Sequence, residues 1–109
     1  MKVYIASPYT LGDVAINVRK SLAMADELRD AGFLPYCPLL THFWHLVFPH
    51  PYSYWLQMDL EWLRECDCLL RMPGESRGAD KEVETMLLLG KPVVYSKNEL
   101  IALAKKTGL

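Results

Sequence analysis

The sequence predicts an α/β chain, a flavodoxin/Rossmann-like three-layer sandwich built on a parallel sheet of four to five strands. Three observations predict it. Short apolar runs alternate with amphipathic segments of helical period along the whole chain, which is the pattern of βαβ units. Gly32 and Gly90 each close a helical segment just before an apolar run begins. The length of 109 residues, with 51% hydrophobic and 23% charged residues, suits one globular domain with a thin core, here taken as residues 1–109.

Val3–Ala6 is an apolar run stopped by Ser7-Pro8 and reads as a buried first strand. Asp13 caps a helix carrying Val14, Ile16, Val18, Leu22, Met24, Ala25 and Leu28, which ends at Gly32. Phe33–Cys37 reads as a second strand, and Pro35 places it at a sheet edge. Pro38–Tyr54 is dense in aromatics and histidines and is broken by prolines. It reads as a long ordered binding loop with a single helical turn. Trp55–Glu65 is a helix, Cys66–Met72 a third strand, and residues 73–78 a polar loop with glycines. Ala79–Leu89 is a helix, Pro92–Tyr95 a fourth strand, and Asn98–Lys106 a last helix. Ligand sites in such sheets lie beyond the strand C-termini, here the loops at Ser7, Pro38 and Met72.

Composition narrows the function. A net charge of −1 lacks the basic excess of a nucleic-acid-binding surface, so no polymeric nucleic acid is expected as partner. A small phosphorylated ligand needs only a few local donors and stays compatible. There is no long apolar run for a membrane span, and no signal peptide is apparent. The three cysteines Cys37, Cys66 and Cys68 follow no disulfide spacing, so reduced thiols and a cytoplasmic location are expected.

Two acids fall on apolar helix faces. Ala79, Val83, Met86 and Leu89 share one side of their helix, and Glu82 lies within that arc. Leu56, Leu60 and Leu63 share a face of the preceding helix, and Asp59 sits among them between Trp55 and Trp62. An unpaired buried charge costs several kcal/mol, so each needs a reason. Glu82 has the alternative of a helix N-terminus, which favours anions. Asp59 has that of capping a loop or pairing with Arg19 or Arg77. Two inward carboxylates near one sheet edge suit acid/base or nucleophilic work at a sugar anomeric carbon. Ser76 and Gly78 precede Glu82 at a helix N-terminus, where free N–H groups favour phosphate or carboxylate.

These residues resemble a known family. The string Asp59-Leu60-Glu61-Trp62-Leu63, then Cys66-Asp67, a strand, Ser76-Arg77-Gly78 and Glu82 is similar to the nucleoside 2-deoxyribosyltransferase superfamily. The branch hydrolysing 2′-deoxynucleoside 5′-monophosphates is closest in motif. Val3-Tyr4-Ile5-Ala6-Ser7 and Leu89-Gly90-Lys91-Pro92-Val93 extend the resemblance over nearly the whole chain. It implies cleavage or transfer at the N-glycosidic bond of a (2′-deoxy)nucleoside or its 5′-monophosphate, with retaining chemistry. Glu82 is then the nucleophile on C1′, Asp59 assists at the base or sugar side, and Tyr4 holds the Glu82 carboxylate. Ser7, Ser76 and Gly78 contact the substrate, and homo-oligomers, dimeric or larger, are implied. Two departures stand out. The loop Ser7-Pro8-Tyr9-Thr10-Leu11-Gly12 has no arginine where the monophosphate hydrolases are basic, which leaves Arg19 or Arg77 for a phosphate. The acid that the transferases carry near position 76 is missing. A non-catalytic nucleotide-binding or sensing module on the same fold is the alternative.

Trp44, with Phe43, Tyr52 and Tyr54, offers a stacking surface for a base or an interface between subunits. His42 is a candidate polar contact to the base. His42, His45 and His50 have no accompanying Cys-x-x-Cys and lie in a proline-broken segment, so no metal and no cofactor is expected. Cys66-x-Cys68 reads as strand packing.

Overall fold

Val3, Tyr4, Ile5 and Ala6 are all buried, so β1 (Lys2–Ala6) is covered on both faces, as a central parallel strand must be. The computed structural model describes residues 1–108. It places β1 between β2 (Leu34–Tyr36) and β3 (Cys68–Arg71), with β4 (Val93–Val94) on the far side of β3. Every pairing is parallel, in the order β2-β1-β3-β4, with Tyr4 opposite both Tyr36 and Leu69.

Alternation along the strands creates two cores. Val3, Ile5, Cys68, Leu70 and Val94 pack with Val18 and Leu28 of α1 (Val14–Asp30) and Leu100 of α5 (Lys97–Thr107). Tyr4, Ala6 and Leu69 pack on the other face with Leu63 of α3 (Tyr52–Glu65) and with Ala79 and Met86 of α4 (Arg77–Leu88). This is the three-layer α/β architecture that the sequence predicts.

Side chains set the helix ends. Asp13 accepts from the Ile16 N–H at 3.1 Å and Ser76 from the Ala79 N–H at 3.1 Å, each capping the helix that follows. At the C-terminal end of α3 the Lys91 ammonium donates to the Arg64 and Cys66 carbonyls at 2.6 and 2.8 Å, a cation where the helix dipole favours one.

The segment Pro38–Tyr54 departs from the loop reading. A 3-10 turn at Pro38–Leu40 runs straight into α2 (Thr41–Val47), and α3 begins at Tyr52, ahead of Trp55. Between Pro38 and Pro49 no Gly or Pro interrupts the chain, and a proline is tolerated in the first turn. The Thr41 hydroxyl bonds the Pro38 carbonyl at 2.8 Å, and the Phe48 N–H closes α2 on the Trp44 carbonyl at 2.8 Å. Only the short link Phe48–Pro51 is irregular. The third strand is also shorter than read. Asp67 exchanges bonds with the Lys2 backbone before β3 starts, so Cys66 lies off the strand and Cys68 on it.

Candidate active site

In a sheet of order β2-β1-β3-β4, the chain leaves β1 and β3 in opposite directions, and a crevice opens between their C-terminal ends. The loops after these strands, with the 3-10 turn, α2, α3 and the start of α4, line a cleft of about 590 Å³. Ser7, Asp59, Ser76, Gly78 and Glu82 are all on its wall. Tyr4 lies beneath it, fully buried.

Glu82 is 8% exposed and takes a hydrogen bond from the Tyr4 hydroxyl. The pair is set by register: Tyr4 points to the α3/α4 face of β1, and Glu82 sits on the inner stripe of α4 between Ala79 and Met86. Leu89, counted in that stripe from sequence, falls at the helix end and is exposed. The first-turn acid of α4 is Asp80, so the helix N-terminus does not account for Glu82. Burial pushes the Glu82 carboxyl up to about 7; the Tyr4 bond and Arg71 pull it down, and the Asp59 charge pushes it up. Burial, then the charges of Glu82 and Asp59, hold the Tyr4 phenol well above its ordinary range, so it remains a protonated donor.

Asp59 also titrates up at about 7, through burial. Its Oδ1 is buried with no hydrogen-bond partner among the described residues, and neither Arg19 nor Arg77 pairs with it there. An unpartnered carboxyl oxygen at a cleft wall is costly for folding and available to a ligand. The helix supplies its position, since Leu60 and Leu63 anchor α3 in the lower core and carry Asp59 to the cleft.

Ser76 serves as the cap of α4 and lines the cleft as well. Gly78, in the first turn, has an N–H that the helix cannot bond itself. Arg77 lines the cleft with Glu75 beside it; Arg19 does not reach the wall. The Ser7 hydroxyl donates to Ser21 at 3.2 Å, and Ser21, fully buried on α1, contacts the Cys37 thiol at 3.0 Å. Cys37 lies in the α1/α5 core, and burial raises its thiol.

His42 and Trp44 are not on the cleft wall. Because α2 is helical, Thr41 and His45 share the cleft face one turn apart, while positions 42 and 44 rotate away. His42 Nδ1 bonds the Tyr9 hydroxyl at 2.5 Å, reaching the cleft only through that tyrosine. Trp44 packs edge-on against Tyr54 and Trp55.

Several site residues escape a linear reading. Arg71 ends β3, and its guanidinium bonds the Met72 and Gly74 carbonyls and Asp80, tying the loop to the first turn of α4. An arginine closing the buried run Cys68-Leu69-Leu70 was the available signal. Tyr9, His45, His50 and Trp55 also reach the cleft; of the aromatics expected to stack, Tyr52 lines it and Phe43 and Tyr54 do not, which only the fold of their segment shows.

The structure is similar to a 2-deoxyribosyltransferase from the psychrotolerant bacterium Bacillus psychrosaccharolyticus, with TM-score 0.66 and 22% identity, over 85% of this chain and 69% of that one. It is also similar to a 2-deoxyribosyltransferase from Leishmania mexicana, with TM-score 0.65 and 16% identity, over 86% of this chain and 62% of that one. At such identities the likeness establishes a shared fold. No curated protein matches the sequence. Residues 1–96 match the family described as a domain of unknown function (DUF7768), and the chain belongs to that family.

Proposed function

We propose that the chain, as one deoxyribosyltransferase-like domain, cleaves or transfers at the N-glycosidic bond of a 2′-deoxynucleoside or its 5′-monophosphate. The observation that carries this reading is a pair of carboxyls on the wall of one cleft, Glu82 buried and held by Tyr4, and Asp59 half-buried with its inner Oδ1 left unpartnered. The fold shared with two 2-deoxyribosyltransferases supports it.

In the proposed reaction the ionised Glu82 attacks C1′, and the C1′–N bond breaks with its electron pair moving to the base. Asp59, in its protonated form, supplies the proton that the base takes up. Water or a second base then attacks C1′ and displaces Glu82, passing its proton to Asp59. Two inversions give net retention. Both acids titrate at about 7, so near neutral pH the pair supports one ionised and one protonated partner. Ser7, Ser76 and the Gly78 N–H bind the sugar or its 5′-oxygen, and Arg77 is the cation on the wall available to a phosphate. Assembly into homo-oligomers and a cytoplasmic location complete the proposal.

The test is incubation with the common 2′-deoxynucleosides and their 5′-monophosphates, following free base by chromatography. Glu82→Ala should lower turnover by on the order of a thousandfold or more while the protein stays folded. Folded wild-type protein that leaves every compound intact overturns the catalytic reading. Tight binding without turnover would point instead to a nucleotide-binding or sensing module, motivated by the arginine-free loop at residues 7–12.

A further inference from the structure

His45 Nδ1 receives two hydrogen bonds, from the Trp55 indole N–H at 2.8 Å and from the His50 backbone N–H at 3.3 Å. An indole nitrogen and a backbone amide only donate. Nδ1 must therefore be the bare, accepting nitrogen, and in the neutral ring the proton resides on Nε2. Flipping the ring would set a carbon against both donors and leave the indole N–H unpaired. Trp55 is itself fixed by edge-on contacts with Trp44, Tyr54 and His50, at ring separations of 5.1, 5.0 and 5.6 Å. His45 lines the cleft, and Nε2 is its one polar atom left unused within this cluster. Asp59 lies one helical turn beyond Trp55 on the same wall.

We infer that His45 is a specificity-determining residue, locked by Trp55 and His50 as the Nε2–H tautomer so that it presents a hydrogen-bond donor to an acceptor edge of the bound base. The acceptor is a ring nitrogen or carbonyl oxygen of a heterocycle. This rests on the reading of the cleft as a nucleoside site, but the tautomer lock does not.

Two measurements separate the parts. Nitrogen-15 spectra of the three histidines, recorded above the ordinary imidazole range, assign His45 by its loss in His45→Gln. One pyridine-like Nδ1 and one pyrrole-like Nε2 are expected, giving way to a tautomer mixture in Trp55→Phe. A wild-type His45 protonated on Nδ1, or already a mixture, overturns the lock. Calorimetry with the four common 2′-deoxynucleosides then uses Glu82→Gln as the non-turnover parent. Adding His45→Phe should weaken binding by about five- to tenfold, the value of one hydrogen bond, and His45→Gln, which keeps a donor, should recover most of it. Equal affinities in all three proteins overturn the donor role. If neither these four nor their 5′-monophosphates bind the parent or the wild type, the nucleoside reading falls and the donor assignment with it, while the spectra still decide the lock.

Discussion

Replacing Glu82 by Gln or Asp59 by Asn tests what burial does to each carboxyl. Both titrate at about 7 in the folded chain, above the ordinary carboxylate range near about 4. Over that interval the native state keeps protons that the unfolded chain has released. The stability each acid contributes is thus full below about pH 4 and lost as pH rises through about 7. Tm of Glu82→Gln and Asp59→Asn, relative to wild type, should climb across this window and level off above it. A pH-independent difference would contradict the shifts. Tyr4→Phe acts on the same group, and in the same sense as burial, because it removes the bond that opposes it. Its hydroxyl lowers the Glu82 carboxyl, so the variant should need a higher pH for activity. The acidic limb of its pH–rate profile should move up, and an unmoved limb would show that the bond does not govern Glu82 ionisation.

At the scale of elements, the cleft depends on two loops held a fixed distance apart. Gly74 has φ +116, and a Cβ there would meet Pro8 Cγ at 2.9 Å. The loop after β3 therefore rests directly on the loop after β1, and Arg71 fastens the former to α4. Gly74→Ala combines a left-handed backbone with a clash, and should destabilise by about 1–3 kcal/mol while opening the cleft. A denaturant midpoint equal to wild type would count against this account. The glycine's role was not legible in sequence, because the contact joins residues far apart in the chain. The β-strand and helix types were legible wherever period and punctuation agreed, as in β1, α1 and α4. The segment 38–54 was not, because its aromatics conceal a helical period that shows only through Thr41 and His45 sharing the cleft.

Across the whole molecule, residues 31–58 contain no Asp, Glu, Lys or Arg, although the chain has 25 such residues, 12 basic and 13 acidic. Within this stretch Phe43, Val47 and Phe48 are 65%, 69% and 65% exposed. An uncharged apolar surface of this kind suits the proposed association of copies of the chain better than an anionic membrane, which recruits basic helices. Phe43→Asp combined with Phe48→Asp should shift the mass in light scattering from oligomer to monomer. Identical masses for variant and wild type, whether both monomeric or both oligomeric, would remove this surface from the assembly. No helix among the described residues is long and apolar enough to cross a membrane.

Local chemistry along the chain was enough to determine the order of the four strands with α1, α3, α4 and α5, the parallel sheet, and the inward turn of Glu82 and Asp59, but not α2. Those features depend on periodicity and on caps such as Asp13 and Ser76, which involve near neighbours. Only the tertiary structure decided that Tyr4 reaches Glu82, that Asp59 Oδ1 stays unpaired, and that His45 rather than His42 or Trp44 borders the cleft. These depend on strand register and on the rotation of a short helix. A shift of one residue along a strand reverses its face, and one step around a helix moves a side chain by about 100°.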